Sequence, residues 1–235
     1  MSRVQVWSSG GGTQSAAIAA LICMGELRPD LAIIVDTERE VKKTWEYHDA
    51  VIVPALAKVG ITLHRVPKSK YATVDLYSSS GKLLIPAFTD KSGKIGKLPT
   101  YCSNEWKARV VQRWCREQAP TAKGFDIWLG MSADEADRMK VGHKGKWQYR
   151  HPLIDDGRML TRVQSIALVR SIGWPEPPRS RCWMCPNQRK DEWGELEPED
   201  QLKADEFQTE IQKKDPNVLL RGDGGGNCMS GMCFT

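Results

Sequence analysis

Ser8-Ser9-Gly10-Gly11-Gly12-Thr13-Gln14-Ser15 separates two stretches of different character. Before it, Val4, Val6 and Trp7 read as the end of a short strand; after it, Ala16-Ala17-Ile18-Ala19-Ala20-Leu21-Ile22 reads as a helix too apolar for a surface position. Glycines at such a junction let the backbone turn sharply and approach a ligand, so that amide N–H groups and the positive helix end face an anion. Two common phosphate loops are excluded. No Gly-Lys-Ser/Thr ending follows, and the glycines are not spaced G-x-G-x-x-G.

Working outward, Leu31-Ala32-Ile33-Ile34-Val35 is a continuous apolar run typical of a parallel strand covered on both faces. Trp45, Val51, Ile52, Ala55 and Leu56 recur at helical spacing within 42–59, Gly60 ends that helix, and 61–66 is a third strand. Strand-helix-strand-helix-strand predicts an α/β fold with a doubly wound, mostly parallel sheet and right-handed crossovers. Ligands bind beyond the carboxyl ends of such strands, where the glycine loop and Asp36-Thr37 both fall. Residues 67–100 break the rhythm and read as a surface insertion or a lid. Helices are expected at 104–117, 161–172 and 201–214, and a buried strand at 125–129. The division expected is a nucleotide-binding α/β domain over 1–175, with a small cysteine-bearing C-terminal extension over 176–235 packed on it.

A net charge of +5 suits a polyanionic ligand and permits nucleic acid without requiring it. The apolar run 16–24 is too short to span a bilayer and no signal peptide is evident, so the expectation is a cytoplasmic protein without a membrane partner. Seven cysteines, an odd number, favour metal or redox chemistry over a disulfide framework in that compartment. Cys182-Trp183-Met184-Cys185 is a thiolate clip for Zn or an iron-sulfur cluster, with a redox dithiol as the alternative. The tail 222–234, rich in glycine, carries Cys228 and Cys233, either as a swinging thiol or as incidental residues of a frayed end. Basic and aromatic residues interleave over 138–151, as in a surface that tracks a nucleic-acid backbone or in an ordinary solvated loop.

Four segments, taken in order, resemble the PP-loop superfamily, the adenine nucleotide alpha hydrolases, and within it the phosphoadenylyl-sulfate (PAPS) reductase-like family. Gly10-Gly11-Gly12-Thr13-Gln14-Ser15 is similar to that family's S-G-G-x-D-S, departing at Gly10 and at Gln14, which stands for the aspartate. Asp36-Thr37-Glu38 resembles D-T-G, with Glu38 in the glycine position. Cys102 to Lys107 matches C-x-x-x-x-K, and Gly130 to Arg138 matches G-x-x-x-x-E-x-x-R.

The resemblance implies a HUP/Rossmann-like PP-loop fold and an adenine nucleotide, ATP or PAPS, with Mg as a candidate companion. It implies that Ser9, Gly10, Gly11, Gly12, Thr13, Gln14, Ser15, Asp36, Thr37 and Gly130 hold the nucleotide, while Lys107 and Arg138, the latter oriented by Glu135, stabilise charge on phosphate or sulfate. Cys102, Cys182 and Cys185 resemble the ligands of a [4Fe-4S] cluster, either with one iron open or with Cys228 or Cys233 folding back to complete the set, Zn being the alternative, and Cys228 is also a candidate nucleophile. The family's chemistry divides between adenylating, pyrophosphate-releasing sulfur transfer and thiol-dependent reduction of a sulfonucleotide. The absence of an E-C-G tail leans towards the first, with sulfur acceptor and thiol donor unspecified. A non-catalytic nucleotide or nucleic-acid binding module is the alternative of a different class, favoured by Gly10 and Gln14.

Overall fold

The computed structural model describes residues 3–91, 94–139 and 145–221, with the side chains of Lys91 and Arg138 excepted. In chain order its elements are β1 (Val4–Ser9), α1 (Thr13–Cys23), β2 (Leu31–Asp36), α2 (Lys42–Tyr47), α3 (Val53–Lys58), β3 (Leu63–Pro67), β4 (Phe88–Lys91) and β5 (Lys94–Lys97). Then follow α4 (Arg109–Gln118), β6 (Phe125–Leu129), β7 (Trp147–Arg150), α5 (Arg162–Ser171), α6 (Lys190–Gly194), α7 (Pro198–Lys214) and β8 (Val218–Leu219). Five strands form one sheet in the order β3-β2-β1-β6-β7, with every neighbouring pair parallel. The chain runs outward to β3, then returns past β1 to β6. The strand order therefore reverses between β1 and β6, which opens a crevice at their carboxyl ends.

Strand alternation sends neighbouring residues to opposite faces. Trp7 and its register partners Ala32 and Trp128 lie in the core cluster that contains α1, Leu56 of α3 and Val169 of α5. Val6, Ile33 and Ile127 lie in the other, against Val110, Val111 and Trp114 of α4. Helices thus cover both faces, as expected of a doubly wound sheet. Nine of the eleven residues of α1 are buried, because the sheet covers it on one side while α3 and α5 pack against it on others. Thr161 caps α5 through a reciprocal pair with Gln164, a bond from each backbone N–H to the other side chain.

The expected helix over 42–59 is α2 and α3 joined by a π-helical turn, His48–Ile52. Pro54 has no N–H for the Ala50 carbonyl and its ring crowds that carbonyl, which accounts for the widened turn. A second π-helical turn, Ser103–Ala108, opens α4 immediately after Cys102.

Residues 67–100 are more ordered than an irregular loop. β4 pairs antiparallel with both β5 and β8, and Ile85, Ala87 and Trp106 share a third core with Met184, Trp193, Phe207 and Leu220. The insertion and the C-terminal segment therefore bury each other. Arg39 reinforces this packing: it pairs through both outer nitrogens with Asp75 at 2.9 Å and lies 5.0 Å from the Trp106 ring. Lys68, buried, bonds the same carboxylate at 2.6 Å. Burial works to raise the Asp75 pKa, but the Arg39 and Lys68 bonds outweigh it and bring it down to about 2.

Sequence patterning missed β7, a four-residue edge strand of polar and aromatic residues. Trp147 stacks on Phe125 at 4.7 Å and receives the Arg116 guanidinium at 5.2 Å, so its ring is engaged within the protein.

Candidate functional site

Gly12 precedes α1 in extended conformation, and no side chain caps the helix, which leaves its first-turn amides directed at the crevice. Gly11 has φ of +82°, a value that favours glycine. A Cβ there would come 2.9 Å from Thr44 Cγ2 and 3.1 Å from Ser180 Oγ. Gly10 N–H donates to Ser15 Oγ at 2.7 Å, which closes the loop on itself. Gly130, at the end of β6, approaches from the other side: a Cβ on it would lie 3.1 Å from Ser15 N and 3.2 Å from the Gln14 carbonyl carbon. Both glycine requirements concern space for the loop itself.

Gln14 replaces a carboxylate with an amide, and a partner for it is present. Its Nε2 donates to Glu135 Oε2 at 2.8 Å and to Ser132 Oγ at 3.2 Å. Two carboxylates so close would repel, so the neutral residue at 14 allows the acidic one at 135. Residues 133–138 form 3₁₀ turns rather than one regular helix, and Glu135 itself is non-helical. Glu135 accepts from the Gln14 amide and from the Ser132 hydroxyl three residues earlier. The side chain of Arg138, and Cys228 with the rest of the tail, lie outside the described residues.

Asp36 ends β2 with both oxygens engaged by protein. Oδ1 accepts from Glu38 N–H at 2.7 Å, and Oδ2 accepts from Arg65 Nε and Nη2 at 2.9 and 2.7 Å. Arg65 in turn sits over the Trp45 ring, its guanidinium carbon 3.5 Å from the ring centre. Glu38 occupies the left-handed region with φ of +60°, in the position where the resemblance places glycine. Its carboxylate holds that conformation through Lys68 Nζ at 3.1 Å and the Ser69 hydroxyl. Thr37 is buried, its hydroxyl 3.4 Å from Cys182 Sγ.

Cys102, Cys182 and Cys185 line one cavity together with Thr37, Lys107 and Ser180. The segment 181–183 docks antiparallel on 39–41, through Val41 N–H to Arg181 O at 3.0 Å and Trp183 N–H to Arg39 O at 2.8 Å. Cys185 N–H then bonds Cys182 O at 3.0 Å, and the Gln188 amide lies within 3.3 Å of the carbonyls of 182, 183 and 185. This locked turn brings both sulfurs to the same cavity. Burial of the Cys182 sulfur, followed by the charge of Glu40, pushes its pKa up to about 12, against the opposing pull of Lys107 and Thr37. A free Cys182 is therefore a thiol at neutral pH, whereas metal ligation would draw the proton off. Among the described residues no three His, Cys, Asp or Glu side chains stand in metal-holding geometry. Cys102, Cys182 and Cys185 thus share a cavity without standing as a formed metal site.

Lys107 joins the two halves. It lines the cysteine cavity, and also a second pocket formed by Ser8, Ser9, Gly10, Ile34, Glu40 and Trp45 at the ends of β1 and β2. Glu40, Ser180 and His48 belong to this region and were not selected from the sequence. Ser180 meets Gly10 across 170 positions, a separation no local pattern encodes. His48 sits on the first π-helical turn, buried, and hydrogen-bonds the Gly11 backbone.

No helix among the described residues is long and apolar enough to cross a membrane. No protein-family model and no curated protein matches the chain. Among solved structures it is similar to the U34-tRNA thiolase NcsA from Methanococcus maripaludis, solved with its [4Fe-4S] cluster, at 14% identity and a TM-score of 0.45 over 92% of this chain and 69% of that one.

Proposed function

We propose that this chain is a PP-loop enzyme that binds ATP and uses it for adenylating, pyrophosphate-releasing sulfur transfer. The observation that carries this reading is the position of Lys107, shared by the glycine-loop pocket and the three-cysteine cavity. A nucleotide and a sulfur centre would react across that lysine.

The triphosphate lies on the first-turn amides of α1, with Gly130 leaving room for the loop to close. Lys107 offsets the charge that builds as an acceptor oxygen attacks the α-phosphorus and the bond to the leaving pyrophosphate breaks. A sulfide sulfur, as HS−, then attacks the adenylated carbon, the bond to the AMP oxygen breaks, and AMP leaves with that electron pair. Glu135, held by Gln14, supplies a carboxylate beside the phosphates where a Mg ion accompanying ATP would find one. Cys102, Cys182 and Cys185 would hold an iron-sulfur centre, which when bound supplies an open iron to carry the sulfur. Thr37 orients the Cys182 sulfur through its hydroxyl.

Incubation with α-labelled ATP and Mg, using protein purified without oxygen, tests the assignment. AMP with pyrophosphate is expected. Sulfite from PAPS would assign sulfonucleotide reduction instead, and tight ATP binding without either product would leave a binding module. A colourless protein with one equivalent of zinc would overturn the iron-sulfur part.

A further inference from the structure

We propose that Ser180 is a positioning residue that couples occupancy of the phosphate loop to the docking of the Cys182-x-x-Cys185 turn. The inference rests on the nucleotide reading above and adds to it a physical link between the two half-sites. Ser180 Oγ lies 2.6 Å from the Gly10 carbonyl oxygen and 2.7 Å from Glu40 Oε1. Its single hydroxyl hydrogen serves one of these acceptors at a time, so the residue has two bonding arrangements. The loop is moulded around it as well. A Cβ on Gly11 would stand 3.1 Å from Ser180 Oγ, and one on Gly12 3.4 Å from Ser180 N.

On the other side, Ser180 leads directly into the stretch that docks on 39–41, and Cys182 is two residues on. Glu40 belongs to both halves: it lines the glycine-loop pocket with Lys107, and its backbone bridges to Cys182. An anion in that pocket repels the Glu40 carboxylate and draws on the loop amides, which moves the preferred acceptor of Ser180 to Gly10 and ties the turn to the closed loop. Two sites that bias one two-state element are coupled reciprocally, so nucleotide tightens the turn and a docked turn tightens nucleotide binding.

The test uses the full chain with free thiols, a small alkylating reagent and mass spectrometry of the Cys182–Cys185 peptide. Labelling proceeds through opening of the turn, so its rate reports docking. Saturating ATP with Mg is expected to slow labelling on the order of tenfold, a typical coupling between sites. Ser180→Ala, with ATP binding confirmed calorimetrically, is expected to lose this protection to within about twofold. Glu40→Gln, which leaves the serine in place and removes the competing charge, is expected to shrink it as well. Equal protection in wild type and both variants would overturn the role of Ser180 and leave the nucleotide reading standing. No ATP binding to wild type would overturn both. Should Ser180→Ala fail to fold, undiminished protection in Glu40→Gln alone would refute the coupling.

Discussion

Replacing Gly130 with alanine separates two reasons for which a protein keeps glycine. Gly130 is absent from the positive-φ glycines, so its backbone suits alanine, but the new methyl group would lie 3.1 Å from Ser15 N and 3.2 Å from the Gln14 carbonyl carbon. Ordinary contacts begin a few tenths of an ångström further out, and the strand cannot retreat: Leu129 is in register with Ser8 of β1. The loop and the first turn of α1 must shift. Overpacking of this kind costs roughly 1–3 kcal/mol. If about 1.4 kcal/mol of it falls on the arrangement of loop amides that receives phosphate, ATP affinity drops about tenfold. Gly173, beyond the end of α5, is the control. It has φ of +83° with nothing within 4 Å of a Cβ, so Gly173→Ala strains the backbone by about 1 kcal/mol and touches no part of the loop. Urea denaturation should show both variants destabilised, and calorimetric titration with ATP should show the affinity loss in Gly130→Ala alone. Unchanged affinity in Gly130→Ala, or equal loss in both, would refute the close-approach argument.

His48 makes stability depend on pH. Burial, outweighing the hydrogen bond to the Gly11 backbone and the charge of Asp49, depresses its pKa from 6.5 to about 4, so the unfolded chain takes up a proton first as pH falls. Its contribution is complete above about pH 6.5 and is lost towards pH 4, about 2 kcal/mol by pH 5, and urea midpoints for His48→Gln should lack that slope. Glu38→Gly should be more stable than Glu38→Ala by about 1 kcal/mol in chemical denaturation, because both lose the Lys68 pair and only glycine relieves the φ of +60°. Lys107→Met keeps the apolar stem and removes the charge, and is expected to weaken ATP binding about tenfold in a calorimetric titration, less so in high salt.

The sheet was legible because its signals are local. A continuous apolar run at 31–35 and a mostly apolar one at 125–129, with an apolar α1 between the glycines and β2, leave few arrangements other than parallel strands between helices. Strands β4, β5 and β8 were not legible. They are two to four residues long, and their sheet exists only because the insertion and the C-terminal segment cover each other's apolar residues.

The same division holds within the site. Sequence alone placed a glycine loop after β1, Asp36-Thr37 at the end of the second strand, and the Cys102-to-Lys107 and Cys182-to-Cys185 segments further on, because each motif is contiguous. Only the tertiary structure decided what those residues meet. Gln14 bonds Glu135, Asp36 binds Arg65, Glu38 takes a glycine's conformation under the hold of Lys68, and Ser180 reaches Gly10 and Glu40. These partners lie 29 to 170 positions apart, brought together by the strand order and by the docking of 181–183 on 39–41, which no local pattern of the chain records.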